Sequence, residues 1–230
     1  TAIGHLSMYS STITNYNTAV GLQAMYNNTT GDYNTVVGYM TLLSNTTGTY
    51  NTAVGKMALY SNTWGIQNTA TGAASMQNNT TGNYNTAYGF QTLLSNSTGY
   101  ENTALGYNAL LNNTTGVRNT GVGSGALGSL TTGINNTAVG YGTLATLSTG
   151  ISNVGIGWNT LNMGTGFSYC VGIGQGALSN NTVNHNTAVG YAALSTNTTG
   201  SQNSAFGSQS LVSNTTGVNN VAVEIGRAHV

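Results

Sequence analysis

The chain has 230 residues with 33 glycines, no proline, one cysteine and three basic against three acidic side chains, so its formal net charge is zero. A chain so poor in cations, where an ordinary soluble domain is roughly 25% charged, has almost nothing with which to neutralise phosphates, and this excludes nucleic-acid binding by counterion release. No stretch approaches the roughly 20 consecutive apolar residues of a membrane-spanning helix, and a single cysteine excludes an internal disulfide.

Self-similarity at a fixed period accounts for this composition. The same motif opens at Asn17, Asn34, Asn51, Asn68, Asn85, Asn102, Asn119, Asn136, Asn153, Cys170, Asn186, Asn203 and Asn220, a period of 17 with a single 16-residue step after Cys170. The consensus is N-T-A-V-G-Y-x-A-L-x-S-N-T-T-G-x-Y, and its columns are numbered 1 to 17 below.

Taken along one copy, columns 1 to 4 (N-T-A-V) read as a strand. Column 2 is Thr, Ser or Val and column 4 mostly Val, Ile, Leu, Phe or Tyr, so the two share one face with the period of two that a strand imposes. Column 3 is nearly always Ala or Gly, which predicts a flat, closely approachable opposite face. Column 5 is Gly in thirteen copies, Gly4 to Gly207, as expected for a bend or a close backbone approach.

A second short strand is predicted over columns 6 to 9 (Y-x-A-L), with column 7 (Gln23, Met40, Asn108, Gly142) facing water and column 9, only Leu or Met, in the core. S-N-T-T-G then supplies turn chemistry. A 17-residue unit cannot bury a core alone, whereas stacked copies bury a continuous one. The expected fold is therefore all-β: a parallel β-solenoid, or β-roll, of about thirteen 17-residue coils, about 60 Å long at about 4.8 Å per coil.

Stacking turns columns into ladders. The Asn of column 1 is expected to form an amide ladder that Cys170 interrupts, and Tyr16, Tyr33, Tyr50 and Tyr84 of column 17 an aromatic row. Glu101 and Arg118, also in column 17 and on adjacent coils, are expected to meet as a surface ion pair worth at most about 1 kcal/mol.

Candidate chemistry is sparse. Asp32 and Glu101 lie about four coils apart, on the order of 19 Å, against the roughly 5 to 9.5 Å of a glycosidase pair. His5 and His185 are more than ten coils apart with no acid or thiol in a neighbouring column. Gly123 to Gly128 matches G-x-G-x-x-G, but no helix or later acidic residue follows to complete a phosphate site. Cys170, in the Asn column, reads as a buried small side chain rather than a reactive thiol. The N-x-T triplets match the glycosylation acceptor formally and are a by-product of an Asn/Thr repeat. The sequence therefore assigns no catalytic, metal or cofactor-binding residues and no cofactor, and implies no enzyme.

The N-T-A-V-G motif with its hydrophobic corner resembles the S-V-A-I-G repeats in the head domains of trimeric autotransporter adhesins, which are left-handed parallel β-rolls, although the 17-residue period is longer. It is also similar to Asn/Thr/Gly-rich repeats of phage and bacterial fibre proteins that end in an intramolecular chaperone domain. The resemblance spans residues 1 to 223. It implies a non-catalytic structural or adhesive segment of an extracellular, cell-surface or virion fibre, a homotrimer or self-associating assembly with a cell-surface or glycan target.

The competing reading is ice binding through Thr/Ser ladders. Column 13, Thr or Ser from Thr12 to Thr215, is unbroken but lies in a turn. Column 2 is expected to face inward, because Thr there alternates with Val154, Val171 and Val221. A filament of solenoids stacked end to end is a third reading.

The last copy reads V-A-V and then departs: Glu224 stands where column 5 requires Gly. Residues 224–230, EIGRAHV, translate GAGATCGGAAGAGCACACGTC, which resembles a short-read sequencing adapter. They are expected to be an untrimmed library artefact, leaving 1–223 as a single repeat domain cut from a longer fibre.

Overall fold

A computed structural model describes residues 1–12 and 14–224. It is an all-strand, parallel β-solenoid of about thirteen coils, with no helix among the described residues. The chain divides into two compact units, Thr1–Asn119 and Thr120–Val230. The first carries β1 (Ala2–Ile3), β2 (Thr18–Val20), β3 (Thr35–Val37), β4 (Thr52–Val54), β5 (Thr69–Thr71), β6 (Thr86–Tyr88) and β7 (Thr103–Leu105). The second carries β8 (Thr120–Val122), β9 (Thr137–Val139), β10 (Val154–Ile156), β11 (Val171–Ile173), β12 (Thr187–Val189), β13 (Ser204–Phe206) and β14 (Val221–Val223). Within each unit every strand pairs in parallel with the next copy, column on column, as in Thr52↔Thr69, Ala53↔Ala70 and Val54↔Thr71. The 16-residue copy keeps this register, Val171↔Thr187. Its missing residue is absorbed in the turn, where Asn181 Nδ2 donates to Val183 O two residues on, instead of to a carbonyl three residues on as Asn197 does to Gly200.

The orientation of the strands is opposite to the expectation. Column 3 points inward, with Ala19, Ala53, Ala70, Ala87, Ala138, Ala188 and Ala205 fully buried, while columns 2 and 4 face out. The physical reason is crowding. A methyl group built on Gly155 would lie 2.6 Å from Thr143 Cγ2 and 3.3 Å from Leu144 Cδ1. The core is already filled by the column 9 side chains Met25, Leu42, Leu59, Met76, Leu93 and Leu110 in one unit and Leu127, Leu144, Leu161, Leu178 and Leu194 in the other, all at 0% exposure. Each contributes about 1.5–3 kcal/mol of apolar burial. Column 3 is small because it meets that core, not because it forms a flat outer face.

The second predicted strand does not form. Columns 6 to 9 are a run of turns in which column 7 and column 9 both take left-handed backbone, as at Gln91 (φ 53) and Leu93 (φ 49). Two consecutive side chains, Ala58 and Leu59, are thereby buried together, which an alternating strand does not allow. The turns still bond both neighbours: Gln91 N–H donates to Ala73 O (3.1 Å) and Leu93 N–H to Ala109 O (3.1 Å). Column 7 is half-buried rather than turned to water, as at Gln23, Met40, Asn108 and Gly142.

The column 1 ladder forms as expected. Asn85 Oδ1 accepts the Asn102 N–H (3.0 Å) and its Nδ2 (3.1 Å), while Asn85 Nδ2 donates to Gly99 O (2.8 Å). A second buried ladder runs down column 12, where S-N-T-T-G predicts only a turn. Asn45 Nδ2 donates to Asn28 Oδ1 (2.7 Å) and Gly48 O (3.0 Å), and Asn62 repeats the pattern onto Asn45. In the second unit column 12 turns apolar at Leu130 and Leu147, then empties at Gly164, where the Phe167 ring takes the space; a methyl on Gly164 would lie 2.6 Å from Phe167 Cδ1. Asn113, the last amide of the run in the first unit, has a buried Oδ1 with no partner among the described residues.

Among the described residues no ion pair joins Glu101 and Arg118, although their backbones are neighbours through the Arg118 N–H to Tyr100 O bond. Both side chains are exposed, where an ion pair of at most about 1 kcal/mol does not offset the entropy of ordering two long chains. The aromatic row exists in part: Tyr16, Tyr33 and Tyr50 stack at 4.8 Å between successive ring centroids. Gln67 then separates Tyr50 from Tyr84 in the column. Glu224 N–H donates to Phe206 O (2.7 Å), continuing the ladder; the rest of the 224–230 segment expected to be adapter lies outside the described residues.

Candidate functional site

The residues able to do chemistry are dispersed, except that the His185 backbone lies against the Cys170 thiol, where no neighbouring thiol was expected. Asp32 Oδ1 accepts the Asn15 N–H (2.5 Å) and so serves the stack; Glu101 is exposed on a left-handed turn residue. His5 is exposed, and His185 stacks on Tyr169 with centroids 5.3 Å apart. Among the described residues no group of three or more His, Cys, Asp or Glu is placed to hold a metal ion. The Gly123–Gly128 string follows β8 and leads into coil turns. A methyl on Gly123 would lie 2.5 Å from Gly140 O, so that glycine serves coil stacking, while Gly125 (φ +68) is a column 7 turn residue.

Cys170 is fully buried in column 1, its Sγ 3.3 Å from Val183 O, and burial pushes the thiol up from 9.0 to about 11. Where it interrupts the amide ladder, the column 12 residue Asn181 takes over, its Oδ1 accepting from Asn186 Nδ2 (2.9 Å) and Asn197 Nδ2 (3.0 Å). Because the folded value lies above the unfolded one, the contribution of this thiol to stability is present below pH 9 and is lost as pH rises toward 11. At pH 8 the thiolate fraction is depressed about a hundredfold before access is considered. Alkylation by iodoacetamide should therefore be at least that much slower than for the urea-unfolded chain; equal rates would contradict the buried placement.

What the fold does assemble is a surface. Columns 2 and 4 of successive coils share the outer side of the strands, and column 6 follows them at the corner beyond the glycine. In the first unit Thr18, Thr35, Thr69, Thr86 and Thr103 form an exposed hydroxyl row, and no column 2 hydroxyl donates or accepts a hydrogen bond among the described residues. Beside it Val37, Val54, Tyr88 and Leu105 of column 4 are exposed, as are Tyr39, Phe90 and Tyr107 of column 6, with Lys56 the one charge on these columns in β1–β7 and their corners. The second unit repeats the apolar columns with Val139, Ile156, Phe206, Tyr141, Trp158 and Tyr191, while its column 2 is half-buried from Thr120 to Ser204 and interrupted by Val154 and Val171. The column 13 hydroxyls, by contrast, are committed to the stack: Thr29 Oγ1 donates to Thr46 O (2.9 Å) and Thr63 Oγ1 to Thr80 O (3.0 Å).

The outward face could have been found in the sequence from column 4, whose free exchange among Val, Thr, Tyr, Leu and Phe is what a column without a fixed cavity tolerates. No family description matches the chain, and no curated protein and no solved structure matches it.

Proposed function

We propose that the chain is a non-catalytic structural and adhesive segment of an extracellular or virion fibre, in which the buried columns set length and rigidity and the outward strand face meets a partner. The observation that carries this reading is the contrast between the two sides: uniform Asn, Ala, Gly and Leu inside, and a nearly uncharged, apolar and aromatic face outside. An uncharged apolar stripe of this kind favours association over a solitary existence in water. From strand spacing and rise, the three-residue strands of each seven-strand unit present a face of roughly 34 by 10 Å, so two copies meeting there bury on the order of 700 Å2 per unit, and the exposed column 6 side chains must join in to reach the roughly 1,000 Å2 of a specific interface. Self-association as a homotrimer or other closed assembly follows from this reading. Light scattering on the chain at micromolar concentration should give a multiple of 23.5 kDa; a monomeric mass would count against it.

One observation favours ice binding as a second reading: the column 2 threonines, expected to face inward, face outward with uncommitted hydroxyls. Against it stand the rings of Tyr88 and Phe206 in the adjoining row, which break the flatness an ice face needs. Under the fibre reading the chain shows no thermal hysteresis at millimolar concentration. Hysteresis that disappears in Thr86→Tyr would transfer the assignment to this face.

A further inference from the structure

The acceptor triplet N-x-[ST] recurs at column 12, where Asn28, Asn45, Asn79, Asn96, Asn113 and Asn197 are each followed by Thr or Ser and then Thr. The structure gives these six side chains a common environment: all are at 0% exposure, inside the second amide ladder, while the seventh column 12 triplet, at Asn214 in the last coil, is half-buried. Asn45 is typical. Its Nδ2 spends both hydrogens, on Asn28 Oδ1 at 2.7 Å and on Gly48 O at 3.0 Å. N-glycosylation replaces one of those hydrogens by the anomeric carbon of a sugar, and the space beside the nitrogen does not admit even a methyl group. A single carbon built on Gly31 would lie 2.7 Å from Asn45 Nδ2 and 2.5 Å from Asn28 Oδ1, and one on Gly82 would lie 2.8 Å from Asn96 Nδ2.

We propose that the column 12 asparagines are N-glycan acceptors only in the unfolded chain, and that their glycosylation and the folding of the solenoid are mutually exclusive. The step is ordinary transfer: Nδ2 displaces a lipid-linked diphosphate from the anomeric carbon of its oligosaccharide, a C–N bond forms, the C–O bond to phosphate breaks, and the amide loses one proton. Transfer wins in a nascent chain, because a coil buries its column 12 amide only against a neighbouring coil, so several copies must be present before any is protected. The chain is accordingly suited to synthesis where no such transferase meets it before it folds. An extracellular fibre role then requires a cell, or an export route, without co-translational N-glycosylation. Acceptors elsewhere do not share the conflict: Asn78, Asn112 and Asn135 begin triplets and are exposed.

The test compares the chain made in bacterial cytoplasm with the same chain sent through the secretory pathway of a eukaryotic cell, reading site occupancy by mass spectrometry and folding by circular dichroism and protease resistance. The secreted wild type should be retained or unfolded, with glycan on column 12. The seven-fold variant Thr30→Ala, Thr47→Ala, Thr81→Ala, Thr98→Ala, Thr115→Ala, Thr199→Ala and Thr216→Ala removes the column 12 triplets without touching an asparagine or a hydroxyl that bonds the stack; Trp64 and Gly166 already occupy that column in other copies. It should be secreted folded, bearing glycan only at outward positions. A folded secreted chain with glycan at Asn45 or Asn79, a folded wild type with those sites empty, or a variant that folds in bacteria yet fails in secretion despite empty column 12 sites would each overturn the proposal. None of these outcomes bears on oligomeric state, so the fibre reading stands or falls separately.

Discussion

Gly89→Ala should cost at least about 4 kcal/mol and split the first unit at that coil, whereas Gly125→Ala should cost about 1 kcal/mol or less. Gly89 has φ +135, a region closed to side chains, and an added methyl would lie 2.4 Å from the carbonyl oxygen of Gly106. That oxygen belongs to the next coil's backbone and cannot yield without parting the strands, because the neighbouring Gly106 N–H to Tyr88 O bond (2.9 Å) ties the same two coils. Gly125 has φ +68 and open space around its missing side chain. Its column already carries alanine at Ala74 (φ 56) and Ala192 (φ 51), which shows that the stack accepts a methyl there. Urea unfolding followed by circular dichroism, with amide exchange to locate the break, measures both. A Gly89→Ala variant no less stable than Gly125→Ala would mean that the coils are not stacked glycine on glycine.

The two glycines also show how far the sequence can be read. A column of thirteen glycines announces a backbone constraint, and the period, the Leu/Met core and the first amide ladder follow from uniform columns in the same way. Column 12 carried the same signal. Its Asn was read as turn chemistry because it sits in S-N-T-T-G, yet its replacement by Leu130 and Leu147 is a substitution only a buried site favours. The inverted strand face came from treating small residues as evidence of outer flatness, when an Ala column serves equally well where core leucines leave no room. The left-handed turn residues were hardest to foresee: Leu and Met gain nothing locally from φ near +50, and they hold it because the stack on both sides over-determines their backbone. Gly125, Gly142 and Gly176, with Asn108 and Asn159, were the available cue in column 7. The separation of Asp32 from Glu101 was legible for a simpler reason, since two acids about four coils apart are not brought together by a stack that keeps each coil beside its own neighbours.

Asn85→Ala should cost about 2–4 kcal/mol, more than Asn79→Ala in the other ladder, and the difference lies in what each side chain serves. Asn79 exchanges bonds with amides above and below, accepting from Asn96 Nδ2 and donating to Asn62 Oδ1 and Gly82 O. Its loss strands side-chain groups of a kind that Leu130 and Leu147 show can be replaced together by apolar packing. Asn85 also accepts a main-chain donor, the Asn102 N–H, and holds the Gly99 carbonyl through Nδ2. An alanine leaves that N–H buried without a partner, costing about 1–3 kcal/mol, and opens a cavity besides, while the Gly99 carbonyl keeps Asn96 Nδ2 (3.0 Å) as its donor. The one natural departure in column 1 is consistent with this requirement: Cys170 still presents an acceptor atom, its sulfur, toward the Asn186 backbone. Amide exchange at Asn102 should accelerate in Asn85→Ala by more than the global loss of stability explains, while exchange at Ala19, four coils away, should follow the global loss alone. If Asn85→Ala instead costs less than about 1 kcal/mol, the ladder is decoration on a stack held by Leu and backbone pairing, and the uniformity of column 1 has another cause.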